Sequence, residues 1–175
     1  FYDYYGWENT HYLLTNDLVK TPYATRQILY DDQDTFARRM TAALETITEP
    51  YVLFQLEDYI LYDYVDFGKI AKFVQTMEQD PSVNFVRLLQ SGVVESGDYN
   101  SDLIVLDPNS PYYFSTQATI WRRTALLDLL RRYDMPTVAD EMACSASLRQ
   151  STGRGLCVRG RGRPVGGHFD SLVWP

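Results

Sequence analysis

Two pairs of adjacent carboxylates are the residues best suited to chemistry in this chain. Glu57-Asp58 directly follows residues 51–56, the most apolar run in the sequence. In an open α/β sheet, ligands bind beyond the carboxyl ends of the strands. Two adjacent acids at such a position repel each other unless a cation or hydrogen-bond donors hold them. Because Mg²⁺ and Mn²⁺ prefer oxygen ligands, Glu57 and Asp58 are candidate ligands of Mn²⁺ or Mg²⁺ bound with a diphosphate. The alternative is a turn whose acids are only solvated.

Asp140-Glu141 is the second pair, and it stands where a helix is expected to begin. A carboxylate held over a sugar hydroxyl can act as a general base. The alternative is that both acids simply complement the dipole of the helix. His168 follows two glycines, and neutral imidazole is a good ligand for a transition metal such as Mn²⁺. A purely structural role is the alternative for this histidine.

Positive charge is concentrated in the last part of the sequence. The formal net charge is −7, but residues 1–148 carry −11 and residues 149–175 carry +4. This basic, Gly/Arg-rich tail contains four arginines that are candidates for gripping a phosphate: Arg154, Arg159, Arg161 and Arg163. A solvated loop is the alternative. The acidic balance of the whole chain argues against nucleic acid as a partner.

Length and composition favour one globular domain. The chain has 175 residues, of which 45% are hydrophobic and 22% charged, as is ordinary for a folded protein. No apolar run approaches the ~18 residues of a membrane span, and no signal peptide is recognisable. We therefore expect a cytoplasmic protein, with peripheral membrane contact left open. The two cysteines, Cys144 and Cys157, lack metal-ligand spacing and are expected to be buried thiols.

Apolar periodicity predicts strands that alternate with helices. Strands are expected at residues 11–15, 51–56, 83–89, 115–121 and 156–158, and helices at 34–47, 66–80, 123–133 and 139–149. Asp34 and Asp66 are the expected N-caps of the first two helices, and the leucines after Arg123 mark the third. This alternation indicates an α/β fold with a mostly parallel central sheet flanked by helices. The run at 51–56 is expected to be a central strand, buried on both faces.

Several enzyme classes lack their motifs in this sequence. It contains no P-loop, no Gly-x-Gly-x-x-Gly between a strand and a helix, and no Gly-x-Ser-x-Gly elbow. A Cys–His nucleophile pair is conceivable, but nothing in its context supports it.

A group of segments together resembles a known family. They are residues 12–16 (YLLTN), 43–47 (ALETI), 50–59 (PYVLFQLEDY), 65–66 (VD) and 114–122 (FSTQATIWR), together with Asp140-Glu141. The chain resembles nucleotide-sugar glycosyltransferases of the GT-A type, and more narrowly a group of bacterial and large-virus sugar transferases. The resemblance covers most of residues 10–150, and its most specific segment is 51–59.

The resemblance implies a single GT-A-like (Rossmann-like) domain over residues 1–175, lacking segments at both ends. It implies transfer of a sugar from a nucleotide diphosphate sugar to a carbohydrate or other hydroxyl acceptor. Asp58 would bind the metal and Glu57 would contact the ribose or a metal-bound water. His168 would be a further metal ligand, and Asp140 or Glu141 would be the base on the acceptor side. The arginines from 154 to 163 would close over the diphosphate.

Two other functions are compatible with the sequence. The chain has 14 Tyr, 8 Phe and 3 Trp, and such residues are also common in non-catalytic carbohydrate-binding or protein-interaction domains. A metal-dependent phosphodiesterase or nuclease is the third hypothesis. It is the weakest, because a two-metal site usually needs more His and Asp ligands than this chain offers.

Overall fold

The computed structural model describes residues 10–21, 25–56, 59–61, 65–90, 93–160 and 169–171. For 59–61 and 169–171 it describes the backbone alone. Its strands are β1 (Tyr12–Thr15), β2 (Arg26–Leu29), β3 (Tyr51–Phe54), β4 (Tyr59–Leu61), β5 (Val83–Arg87), β6 (Glu95–Asp98), β7 (Leu103–Leu106), β8 (Thr119–Arg122), β9 (Arg154–Val158) and β10 (Phe169–Ser171). Its helices are α1 (Phe36–Thr46), α2 (Phe67–Gln79), α3 (Arg123–Arg132) and α4 (Glu141–Leu148), with a 3-10 turn at Val138–Asp140 just before α4.

The main sheet is mixed, so the predicted mostly parallel, GT-A-like sheet is wrong. Its six strands lie in the order β3-β8-β5-β9-β7-β6. Among these described strands, β5 and β9 form the one parallel pair, and every other neighbouring pair is antiparallel. Alternating strands and helices favour parallel pairing only if each helix crosses between neighbouring strands. Here β8 lies between β3 and β5, and β6 and β7 form a hairpin.

The position of β3 also differs from the prediction. This strand is at one end of the sheet order, and all four of its residues are only partly buried. The strands buried deepest are β5 and β9, near the middle of the sheet. An apolar run therefore marked a strand correctly but did not reveal its place in the sheet.

The direction of the strands gives the sheet two distinct edges. Since β8 is antiparallel to both β3 and β5, these two strands run the same way, and β9 runs parallel to β5. Their last residues, Phe54, Arg87 and Val158, therefore point to one edge, which we call the carboxyl edge. The opposite edge, where the same strands begin, is the amino edge.

Helix α2 lies against one face of the main sheet, and an aromatic cluster packs on the other. Arg122 of β8 donates from Nη2 to the carbonyl oxygen of Met77 in α2, at 2.6 Å. Its neighbour Trp121 points to the other face because side chains alternate along a strand. There Trp121 packs on Phe85, with ring centroids 4.4 Å apart, and on Phe114, at 5.9 Å. The described aromatic residues thus contribute mainly to the core.

Local capping signals place the helix starts well. Asp66 caps α2 as predicted, and its Oδ1 accepts from the backbone N–H of Lys69 at 3.0 Å. At α1 the cap is Thr35 and not the predicted Asp34, since the Thr35 hydroxyl accepts from the N–H of Arg38.

No helix among the described residues is long and apolar enough to cross a membrane.

Two small sheets complete the described structure. Strands β1 and β2 pair in parallel, and β4 pairs with β10 in antiparallel register. The sequence predicted β1 but not β2, β4, β6, β7 or β10. All four residues of β6 are exposed, so this strand lacks the apolar alternation on which a prediction depends.

Candidate functional site

The carboxyl edge is the place where the topology gathers candidate residues. Phe54 ends β3 and pairs with Thr119, the first residue of β8. The loop before β8 therefore lies at the edge where β3 ends. The described chain continues from β3 through residue 56, directly before Glu57-Asp58. Those two acids lie outside the described residues.

Glu141 is anchored to this same loop. Its Oε1 accepts from the backbone N–H of Thr116 at 2.5 Å, from the Thr116 hydroxyl at 2.5 Å and from the Ser115 hydroxyl at 3.3 Å. Both loop residues are 5% exposed. All three donors reach one oxygen, and none of the described residues donates to Oε2. One oxygen is thus fixed, and the other is left for a further partner.

Asp140 has a different role from its neighbour. Its Oδ2 accepts from the N–H of Thr137 at 3.0 Å and from the Thr137 hydroxyl at 2.9 Å. The Thr137 hydroxyl in turn accepts from the N–H of Ala139. This reciprocal arrangement is a capping box. The Asp140 carboxylate stabilises the turn that leads into α4.

A buried arginine, which the sequence reasoning missed, holds the loop before β8. Arg87 is fully buried at the end of β5. Its Nη2 donates to the carbonyl oxygen of Tyr112 at 2.6 Å and to that of Tyr113 at 3.0 Å. The Ser145 hydroxyl of α4 adds a second tie, because it accepts from the N–H of Phe114 at 3.0 Å. A lone arginine inside the apolar run 83–89 was the available signal.

Of the four candidate arginines of the tail, the structure describes two, and these two lie far apart. Arg154 pairs with Val83 at the start of β5 and so lies at the amino edge. Arg159 follows β9 at the carboxyl edge, where its guanidinium forms an ion pair with Asp98. Five strand positions separate the two arginines by roughly 17 Å. Of the two, only Arg159 lies at the same edge as Glu141.

Arg154 belongs to a compact polar network. Its Nε donates to the Ser82 hydroxyl at 3.0 Å, and its Nη2 lies 3.5 Å from Oδ2 of Asp80. Asp80 also accepts from the Ser82 hydroxyl at 2.5 Å and from the Tyr99 hydroxyl at 3.1 Å. These contacts, above all the Ser82 hydroxyl, lower the pKa of the Asp80 carboxyl. The network joins the end of α2 to the start of β9.

We expect Asp80→Asn to lower the free energy of unfolding at pH 7 by about 1–2 kcal/mol, because charge-assisted hydrogen bonds are lost. The folded carboxyl has a lowered pKa, so its stabilisation is complete above the unfolded pKa of about 4. It is lost as the pH falls through the folded pKa. Urea unfolding of both proteins between pH 7 and pH 3 measures this. A difference that stays constant over this range would contradict the assignment.

The two thiols are poor nucleophiles. Cys144 and Cys157 are free and buried. Burial raises the pKa of each thiol to about 12. Since the thiolate is the reactive form, this argues against the Cys–His alternative.

Several predicted site residues lie outside the described part of the chain. They are Glu57, Asp58, Arg161, Arg163 and His168, and their roles remain predictions. Among the described residues, no group of three or more His, Cys, Asp and Glu side chains could hold a metal ion. The sequence matches no protein-family model and no curated protein.

Proposed function

We propose that the protein transfers a sugar from a nucleotide diphosphate sugar to a hydroxyl group of a carbohydrate or other acceptor. The observation that supports this most is the meeting of two features at the carboxyl edge. Strand β3, which leads to Glu57-Asp58, ends beside the loop that anchors Glu141. A metal–diphosphate site and an acceptor base need such proximity.

Glu57 and Asp58 fit a hard divalent cation by their chemistry, because carboxylate oxygens are the ligands that Mg²⁺ and Mn²⁺ prefer. The proposal assigns them to Mn²⁺ or Mg²⁺, with His168 as a further ligand. When bound, the cation would offset the charge that develops on the leaving diphosphate. Arg159 lies at this edge, and we propose it as a diphosphate contact together with Arg161 and Arg163.

Glu141 is the residue of its pair that we propose as base. Thr116 and Ser115 hold Oε1, so the carboxylate is oriented without occupying Oε2. That oxygen would accept the proton of the acceptor hydroxyl as the hydroxyl attacks the sugar. Asp140 is already occupied by Thr137 and is the weaker candidate. This role for Glu141 applies to a reaction that inverts the sugar stereochemistry.

The first test is thermal stabilisation by a panel of nucleoside diphosphates, with and without Mn²⁺. A ligand that binds only the folded state raises the melting temperature. We expect one nucleotide to raise it in the presence of Mn²⁺, and Asp58→Asn to abolish that rise and the transfer activity. Glu78→Gln removes an exposed acid of α2 and is the matched control, for which no change is expected.

Two results would contradict the proposal. One is the absence of any shift with every nucleotide, which would favour the non-catalytic carbohydrate-binding or interaction domain. The other is a shift that is equal with and without Mn²⁺ and is retained in Asp58→Asn. In that case a nucleotide binds, but the metal assignment fails.

A further inference from the structure

A separate groove lies at the amino edge, away from the carboxyl edge. Its volume is about 450 Å³, and it runs between α3, the start of β5 and the segment before β9. Its lining includes Asn84, Arg122, Asp128, Arg131, Arg132 and Thr152. We call it the α3 groove.

One face of α3 forms the long wall of the groove. Its lining positions 124, 125, 128, 131 and 132 recur at helical spacing. The helix has ten residues, so this wall is about 15 Å long. The opposite wall supplies hydroxyl groups from residues 151 and 152. Hydroxyls and guanidinium groups therefore converge on the same space.

The charge of the groove opposes that of the protein as a whole. The chain carries −7 overall, whereas the groove has three arginines against one carboxylate, Asp128. Arg131 is paired with Glu45 at 2.7 Å. Arg132 donates from Nε to the backbone carbonyl of Asp128 at 3.0 Å. Arg132 is exposed, and none of the described carboxylates forms an ion pair with it.

Arg122 adds a partly buried cation at the base of the groove. Its guanidinium donates to the Tyr51 hydroxyl at 3.1 Å and to the carbonyl oxygens of Met77 and Val83 at 2.6 and 3.3 Å. All three acceptors are neutral. Its Nε is buried and has no hydrogen-bond partner among the described residues. A cation withdrawn from water without a carboxylate is stabilised by a nearby anion.

We propose that the α3 groove binds an oxyanion, namely a phosphate or sulfate group carried by a small ligand. The guanidinium of Arg132 contacts the anion directly. The partly buried guanidinium of Arg122, at the base of the groove, attracts it by its positive charge. The hydroxyls of Thr124 and Thr152 supply further donors, whereas the Ser151 hydroxyl already donates to the carbonyl oxygen of Leu148 at 2.7 Å. The groove lies at the opposite edge from Glu141, so this site is distinct from the proposed transfer site and does not depend on it.

The test is a titration of the full chain with inorganic phosphate and, separately, with sulfate, followed by the NMR shifts of the backbone amides. Ionic strength is held constant with chloride. We expect saturable shifts confined to residues 122–132 and 151–152. Arg132→Gln should weaken binding about tenfold, because a charge-assisted contact is lost. Asp128→Asn should tighten it about threefold, because a repelling charge is removed.

Opposite effects of these two variants distinguish a charged site from a general loss of structure, since both side chains are exposed. Lys72→Gln removes an exposed cation of α2 and should leave the dissociation constants unchanged. Saturable shifts with either anion support the proposal. The anion with the lower dissociation constant shows whether the groove prefers a phosphate or a sulfate group. Equal dissociation constants in Arg132→Gln, Asp128→Asn and the wild type, or shifts that never saturate, would overturn it.

Discussion

Gly155→Ala is expected to destabilise the protein by about 3 kcal/mol or more. A Cβ at this position would lie 2.1 Å from Cζ of Phe85 and 2.6 Å from its Cε2. The Phe85 ring is 1% exposed and is held between Tyr113 and Trp121, at centroid distances of 5.4 and 4.4 Å. It cannot move aside without disturbing the core. The methyl group and the ring therefore compete for the same space.

Urea unfolding measures this loss, and the chain offers a matched control. Gly97 lies in β6, and a Cβ there would meet nothing within 4 Å, so Gly97→Ala should change stability by less than about 0.5 kcal/mol. Phe85→Leu should partly rescue Gly155→Ala by freeing space, so the double variant should lose less than the two single losses combined. Equal stability of the two alanine variants would show that the Phe85 contact is not as described.

Glu141→Gln is expected to lower kcat for sugar transfer about a hundredfold or more, if Glu141 is the base we propose. Glutamine retains an oxygen that can accept from Thr116 and Ser115, so the anchoring contacts and the fold should persist. Its amide, however, cannot take up a proton. The measurement is the initial rate at saturating donor, with circular dichroism to confirm the fold.

Asp140→Asn is the control for this prediction. Asparagine can still accept from Thr137, and it removes a charge adjacent to Glu141 without touching the loop before β8. Its kcat should stay within about threefold of the wild type. A full rate in Glu141→Gln would remove Glu141 from the mechanism. An equal decrease of kcat in both variants would show that the reaction depends on the total negative charge of Asp140 and Glu141. It would not then depend on one oriented carboxylate.

Elements that depend on local signals could be predicted from the sequence. The Asp66 cap and the apolar stripe after it identified α2, and the leucines after Arg123 identified α3. The runs at 51–56 and 83–89 marked β3 and β5. Each of these signals is contained within a few neighbouring residues, so no knowledge of the rest of the fold is needed.

Properties that depend on distant pairing could not be predicted. The insertion of β8 between β3 and β5 makes the sheet mixed. The residues of β8 do not indicate whether the strand pairs in parallel or antiparallel orientation. The sequence predicted a strand at residues 156–158 but left the two residues before it open to interpretation as a solvated loop, although β9 begins at Arg154 and is buried from Gly155 onward. Gly155 is required there by the ring of Phe85, a residue far away in sequence.

The candidate site shows the same division. The sequence singled out Asp140-Glu141 but could not distinguish the two residues. Their difference arises from the partners they meet, since Thr137 is local and Thr116 is not. Likewise, Arg154 and Arg159 had the same predicted role in phosphate binding. They lie at opposite edges because Arg154 begins β9 and Arg159 follows its end.

The position of β9 also has a consequence for how the chain folds during synthesis. This strand is inserted between β5 and β7, yet it is synthesised after the other five strands of the main sheet. Until residues 154–158 emerge, β3, β8 and β5 on one side and β7 and β6 on the other have no strand to join them. In that interval β5 and β7 each have one side whose backbone N–H and C=O groups are unpaired, and such strands are prone to pair wrongly. The main sheet of the nascent protein therefore closes only when β9 has been synthesised.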